Sequence, residues 1–180
     1  AILLTSYRAR LNPALRSETH VDYRSKRGVA FGQDLKWRDP RGDWSGAIEG
    51  YTLDDKEPLE GKDADRTDID NERYRVRFEH GHSLGDRDTI QVSADYLSDP
   101  DVLKDFFRRD YRKANQPDNF VVYTYRGDSF TAGVQARKRL NDFYDDLDRL
   151  PELSADFLRR ELADSRVYYE GATSAGFLER

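Results

Sequence analysis

The sequence contains no cysteine, which excludes thiol catalysis, cysteine-based metal sites and disulfides within it. No stretch approaches the roughly 18 consecutive apolar residues that a membrane helix requires. Charged residues make up 36% of the chain and the mean hydropathy is -0.94, so a helical membrane protein is excluded. There is no strong excess of one charge either. The net value is -5 with both signs spread along the chain, which supplies no basic face for nucleic acid, and no nucleic-acid partner is expected. No basic segment precedes a long apolar stretch, so no signal peptide is visible. The chain opens on Ala1-Ile2-Leu3-Leu4 without methionine and reads as a segment excised from a longer protein. Aromatic residues, by contrast, are plentiful: Tyr 11 and Phe 9. Their regular placement argues against disorder. A chain of 180 residues suffices for one domain with a sizeable buried region, expected to cover 1–180 without an internal boundary.

The dominant period is two. Tyr74, Val76, Phe78 and His80 alternate with Arg73, Arg75, Arg77 and Glu79. Ile90, Val92, Ala94 and Tyr96 alternate with polar residues, as do Phe31, Leu35 and Trp37, and Phe130, Ala132, Val134 and Ala136. Successive side chains on a strand point to opposite faces, so each segment has one apolar and one polar face. Turn residues delimit strands expected at 2–11, 14–24, 29–39, 43–53, 72–82, 88–97, 119–126, 129–138, 153–162 and 166–178. Several match the about 9–11 residues of a tilted membrane-crossing strand. The connections alternate in length: brief at Asn12-Pro13, Pro40 to Gly42, Ser83 to Arg87, Gly127-Asp128 and Ala163 to Ser165. After the tight Ser25–Gly28 turn, the others are long, at 54–71, 98–118 and 139–152. Every long loop thus falls at one end of the sheet, as in outer-membrane barrels. The expected fold is all-β: an antiparallel up-and-down meander of about ten strands, part of a large transmembrane β-barrel.

The polar face sharpens this expectation. Arg16, Glu18, His20, Asp22 and Arg24 share one face of the second strand, and Arg73, Arg75, Arg77 and Glu79 one face of the fifth. Basic residues facing lipid cost about 2–4 kcal/mol each near the bilayer midplane, so these nine are read as facing a hydrated lumen. Tyr23, Trp37, Trp44, Tyr74, Tyr96 and Tyr125 are candidate interfacial girdle residues on the other face. That apolar face is thin at Ser17, Thr19, Gly46 and Gly50, which leaves a layer of a soluble β-sandwich open.

Other constellations read as structural. His80 and His82 share a face but lack a third ligand, so no metal site is expected. Asp54, Asp55, Glu57, Glu60, Asp63, Asp65, Asp68 and Asp70 have no calcium-loop register and read as a solvated acidic loop. In the loop at 98–118, Asp99 can cap a helical turn with Pro100 at its first position, placing Leu103, Phe106 and Phe107 on one face. Arg108, Arg109, Arg112 and Lys113 read either as salt-bridged to Asp105 and Asp110 or as contacts for the phosphates of lipopolysaccharide. No nucleophile elbow or spaced acid–base pair appears, so no catalytic residue and no cofactor is expected, and the chain does not read as an enzyme.

The stretch Asp22 to Gly28, followed by Phe31-Gly32 and Asp34-Leu35-Lys36, resembles the lipopolysaccharide-assembly outer-membrane protein family, also called organic solvent tolerance proteins. So do Asn71 to His80, Ala94 to Asp99 with Asp105-Phe106-Phe107, and Arg149 to Leu153, in the same order through nearly the whole chain. The resemblance implies an interior segment of a barrel of about two dozen strands in the Gram-negative outer membrane. It implies lipopolysaccharide, outer-membrane lipid and a plug lipoprotein as partners, and transport without catalytic residues. The alternatives are a small outer-membrane porin or enzyme, or a soluble β-sandwich binding module.

Overall fold

The structure, a computed structural model, describes residues 1–59, 69–144, 148–162 and 165–179. Ten strands form one sheet in sequence order: β1 (Ile2–Asn12), β2 (Leu15–Arg24), β3 (Gly28–Arg38), β4 (Trp44–Asp54), β5 (Glu72–Ser83), β6 (Asp88–Leu97), β7 (Phe120–Arg126), β8 (Phe130–Arg137), β9 (Asp148–Glu161) and β10 (Tyr168–Glu179). Every neighbouring pair is antiparallel. The all-β meander expected from the period of two is what forms. The sheet is open, with β1 and β10 at its edges. Two short helices, α1 (Val102–Phe106) and α2 (Arg108–Lys113), lie between β6 and β7. No described helix is long and apolar enough to cross a membrane.

The strand ends agree with the sequence reading except at β9. It begins at Asp148, five residues before the expected 153, and runs through Pro151. Proline removes a ladder donor and reads as a break, but it is tolerated at a bulge. Here the register slips against both neighbours between Arg149 and Glu152, opposite Arg137/Gln135 and Leu178/Gly176. The extra residue of a β-bulge accommodates the proline.

The register carries Arg16, Glu18, His20, Asp22, Arg24, Arg73, Arg75, Arg77 and Glu79 to one face through intermediates such as Asp34 and Glu49. The helices lie on that face. The opposite face is apolar and bare: Leu3 is 61% exposed, Val21 49%, Phe31 51%, Val76 45% and Leu153 54%. Its thin places are repaired locally. The Trp37 indole lies over Gly46, opposite it in the ladder, where a Cβ would sit 2.6 Å from the ring and 2.5 Å from the Glu79 carbonyl oxygen. The same indole donates to His80 Nδ1 at 3.1 Å. Thr19 donates to Gln33 at 2.8 Å, and Gln33 donates to Ser17 at 2.9 Å. Ser17, Thr19 and Gln33 on this face therefore satisfy one another.

Candidate functional site

The centre of interest is the loop between β6 and β7, which folds back over the charged face at its long-loop end. Helices of five and six residues are too short to persist alone, so tertiary contacts hold them. Leu97, Val102 and Leu103 form a small buried cluster against which Phe107 and Tyr144 pack. Beside it, Arg73 at the start of β5 is 1% exposed. Its guanidinium donates to both Asp99 oxygens (2.9 and 2.7 Å), to Asp55 (3.1 Å) and to Asp105 (2.7 Å). Asp55 also accepts from Arg27 at 2.7 Å. One turn of the ladder away, Arg75 donates to both Asp95 oxygens (2.9 and 2.6 Å) and to Asp110 (2.7 Å). Forked charge-assisted bonds of this kind are the strong ones.

The two phenylalanines complete the clamp. The Phe106 ring has the guanidinium carbons of Arg24, Arg27 and Arg73 within 5.1, 5.9 and 4.9 Å of its centroid. Phe107 covers Arg75 at 4.5 Å and meets Tyr51 edge-on at 5.1 Å. A ring face attracts a cation, so the aromatic pair replaces the water these arginines would otherwise hold.

Three expectations are corrected here. Arg73 and Arg75 do lie on the charged face, but they are buried beneath α1 and α2 rather than wetted. Arg77 remains part-exposed, 3.8 Å from Glu49 and 3.7 Å from Asp110. Asp55, read as one of a solvated acidic loop, is 0% exposed, because it sits between two guanidiniums. Glu60, Asp63, Asp65 and Asp68 of that loop lie outside the described residues. The α1 start also differs from the expected Asp99 cap. Asp101 is the N-cap, since Asp99 is committed to Arg73 and to the Asp101 amide at 3.0 Å.

Asp105 and Asp110 take strand arginines instead of the helix cations. Arg108, Arg109, Arg112 and Lys113 consequently carry no ion pair among the described residues, and all four are exposed. Burial raises the Asp110 carboxyl, but the Arg75 bond and the charges of Arg75, Arg77 and Lys113 outweigh it and hold the group below its ordinary range. Burial pushes the Tyr144 phenol up to about 12, with Asp95 and Asp99 adding to the rise.

No family model matches the chain. The chain is 29% identical over 140 residues to the LPS-assembly protein LptD of Pseudomonas putida. The match covers 73% of this chain and 14% of that protein. The likeness therefore concerns one part of a much longer relative, and it agrees with the family resemblance read from the sequence.

Two asparagines were not anticipated. β6 outruns β7, whose pairing ends at Ser93–Phe120. Beyond it, Asn119 accepts from the Asp95 amide at 2.7 Å. Asn141, 2% exposed, accepts from the Leu97 amide at 2.8 Å and donates to the Asp95 carbonyl at 2.9 Å. Its side chain stands in for a missing strand, satisfying backbone groups that burial would otherwise orphan. His20 lies beside Glu18 and Asp34 in a set of ligand-type atoms within 4.8 Å of one another. Arg8 occupies Glu18 at 2.8 Å and Lys36 occupies Asp34 at 3.3 Å, so these carboxylates already have cations.

Proposed function

We propose that this chain is a wall segment of an outer-membrane β-barrel that delivers lipopolysaccharide to the outer leaflet in a Gram-negative cell. One observation carries the reading: the sheet is inside out for water. Arg73, Arg75, Asp95 and Asp99 are buried on one face while large apolar side chains stand exposed on the other. Contiguous apolar surface of this extent marks contact with a partner or a membrane. The described residues form a single sheet, with no second layer over that face. Lipid satisfies it, and the charged face then lines the lumen. Tyr23, Tyr74 and Tyr96 near the long-loop end, and Trp37, Trp44 and Tyr125 near the short-turn end, form the two interfacial girdles. The likeness to an LPS-assembly protein supports the cargo.

In this reading the helices narrow the outer mouth, and the exposed cations Arg108, Arg109, Arg112 and Lys113 face passing lipopolysaccharide phosphates. A plug lipoprotein occupies the remaining lumen. The action is passive and uses no catalytic step. Single-cysteine variants at Val76 and Phe78, and at Arg77 and Glu79, made in the whole polypeptide with any other cysteine replaced, are labelled in intact outer membranes. Positions 77 and 79 should react with a membrane-impermeant maleimide, and 76 and 78 only with a lipid-partitioning one. Equal reaction of both pairs with the aqueous reagent would remove the membrane assignment.

A further inference from the structure

The charged face has a second feature, at the short-turn end far from the clamp. Arg10 lies directly opposite Arg16, and Arg16 directly opposite Lys36, so three adjacent strands present like charges in register. Like charges placed opposite one another destabilise a sheet. Neighbouring charges are relieved: Arg8 by Glu18 at 2.8 Å, and Lys36 by Asp34 and Glu49 at 3.3 and 3.1 Å. Among the described residues, the Arg10 guanidinium reaches only the Pro13 carbonyl, at 3.3 Å. The guanidiniums of Arg16, Arg38 and Arg41 have no hydrogen-bond or ion-pair partner among the described residues. The nearby Asp39 carboxylate is taken by the Arg41 and Asp43 amides at 3.0 and 3.4 Å. Arg10, Arg16, Lys36, Arg38 and Arg41 line one depression of about 630 Å³.

We propose that this depression is a phosphate-ester site, its ligand a phosphorylated saccharide or glycolipid headgroup. Guanidinium forks match phosphate oxygens in pairs, and several cations on adjacent strands suit a ligand with more than one phosphate. The volume is that of a small-ligand cleft rather than of the broad face an acidic protein covers. The site deepens the transport reading and rests on it only for the direction of arrival, the short-turn mouth. The anion chemistry stands on the register alone.

The test uses the whole polypeptide that carries this chain, folded in detergent. Inorganic pyrophosphate is titrated by calorimetry into the parent, an R10Q/R16Q variant and a charge-matched R126Q/R160Q variant, whose two arginines are exposed away from the depression. Binding should weaken at least tenfold in R10Q/R16Q and be unchanged in R126Q/R160Q. Without ligand, R10Q/R16Q should melt no lower than the parent, because a repulsion has been removed; unfolding therefore does not mimic the result. A bis-phosphorylated glycolipid in micelles, compared with its dephosphorylated form, separates a lipid headgroup from free phosphate as the source. Pyrophosphate binding equal in parent and R10Q/R16Q overturns the site, as does competition by poly-glutamate with no phosphate response. If the cysteine labelling fails while R10Q/R16Q still abolishes pyrophosphate binding, the membrane reading falls and the site stands.

Discussion

Replacing Arg73 by methionine tests the clamp most sharply. Methionine keeps an apolar stem like that of arginine and removes four charge-assisted bonds, two to Asp99 and one each to Asp55 and Asp105. Arg27, 2.7 Å from Asp55 and 3.7 Å from Asp105, would be the main cation left against three carboxylates. Removing one partner of a buried ion pair costs about 3–5 kcal/mol, and the lost contact with the Phe106 face adds about 0.5–1 kcal/mol. The carboxylates can escape this cost by taking on water, which requires the loop to lift. The sheet ladder does not need to open. The docking equilibrium of the loop should therefore weaken by roughly two and a half to four orders of magnitude, at about 1.4 kcal/mol per decade, while the strands persist. Hydrogen exchange reads this directly through the amides of Asp105, Phe107, Tyr111 and Ala114, whose bonds lie within the loop. Their protection should collapse in Arg73→Met, while that of Val76 and Phe78 holds. Arg77→Met, at a part-exposed ion pair, should change loop protection by less than about 1 kcal/mol. Unchanged exchange at all four amides in Arg73→Met would refute the idea that the buried charges hold the loop.

Asn141→Leu leaves the Leu97 amide and the Asp95 carbonyl without their partner and should lower stability by about 1–3 kcal/mol, seen as a drop in melting temperature without loss of sheet signal. Gly46→Val forces a Cβ into Trp37 and the Glu79 carbonyl; assembly yield should fall sharply, with Trp37→Ala/Gly46→Val recovering part of it. The depressed Asp110 carboxyl contributes stability that is present above its ordinary pKa and lost as pH falls through its lower folded value. Loop protection should hold from neutral pH down to the ordinary carboxylate value and decline between that value and the lower folded one, and Asp110→Asn should remove that acid limb. The raised Tyr144 phenol works in the opposite sense: its contribution is complete below about 10, the ordinary tyrosine value, and is lost as pH rises towards about 12. The loop should loosen over that window, and Tyr144→Phe should abolish the alkaline transition.

Much of the fold was written in the alternation itself. A period of two leaves one choice of face per residue, and Arg73, Arg75 and Arg77 opposite Val76 and Phe78 settle it. Turn residues set the strand ends except at β9, which begins at Asp148 because a bulge absorbs Pro151 within the strand. The clamp was not legible for a different reason. Asp105 and Asp110 lie within a few residues of Arg108, Arg109 and Arg112 in the chain, and sequence proximity favours those partners. Their actual partners, Arg73 and Arg75, are 32 and 35 residues away. Asn141 is further still, 44 and 46 residues from the Leu97 and Asp95 groups it completes, and carries no pattern at all.

Composition and local spacing alone thus determined that the chain is a meander with one charged and one apolar face, because side-chain direction along a strand is a local property. Only the tertiary structure decided where the charged face is dry, because burial depends on what folds over a residue. For Arg73 and Arg75 that cover is a loop from the other side of β6, brought back by carboxylates and aromatic rings whose partners no local rule identifies.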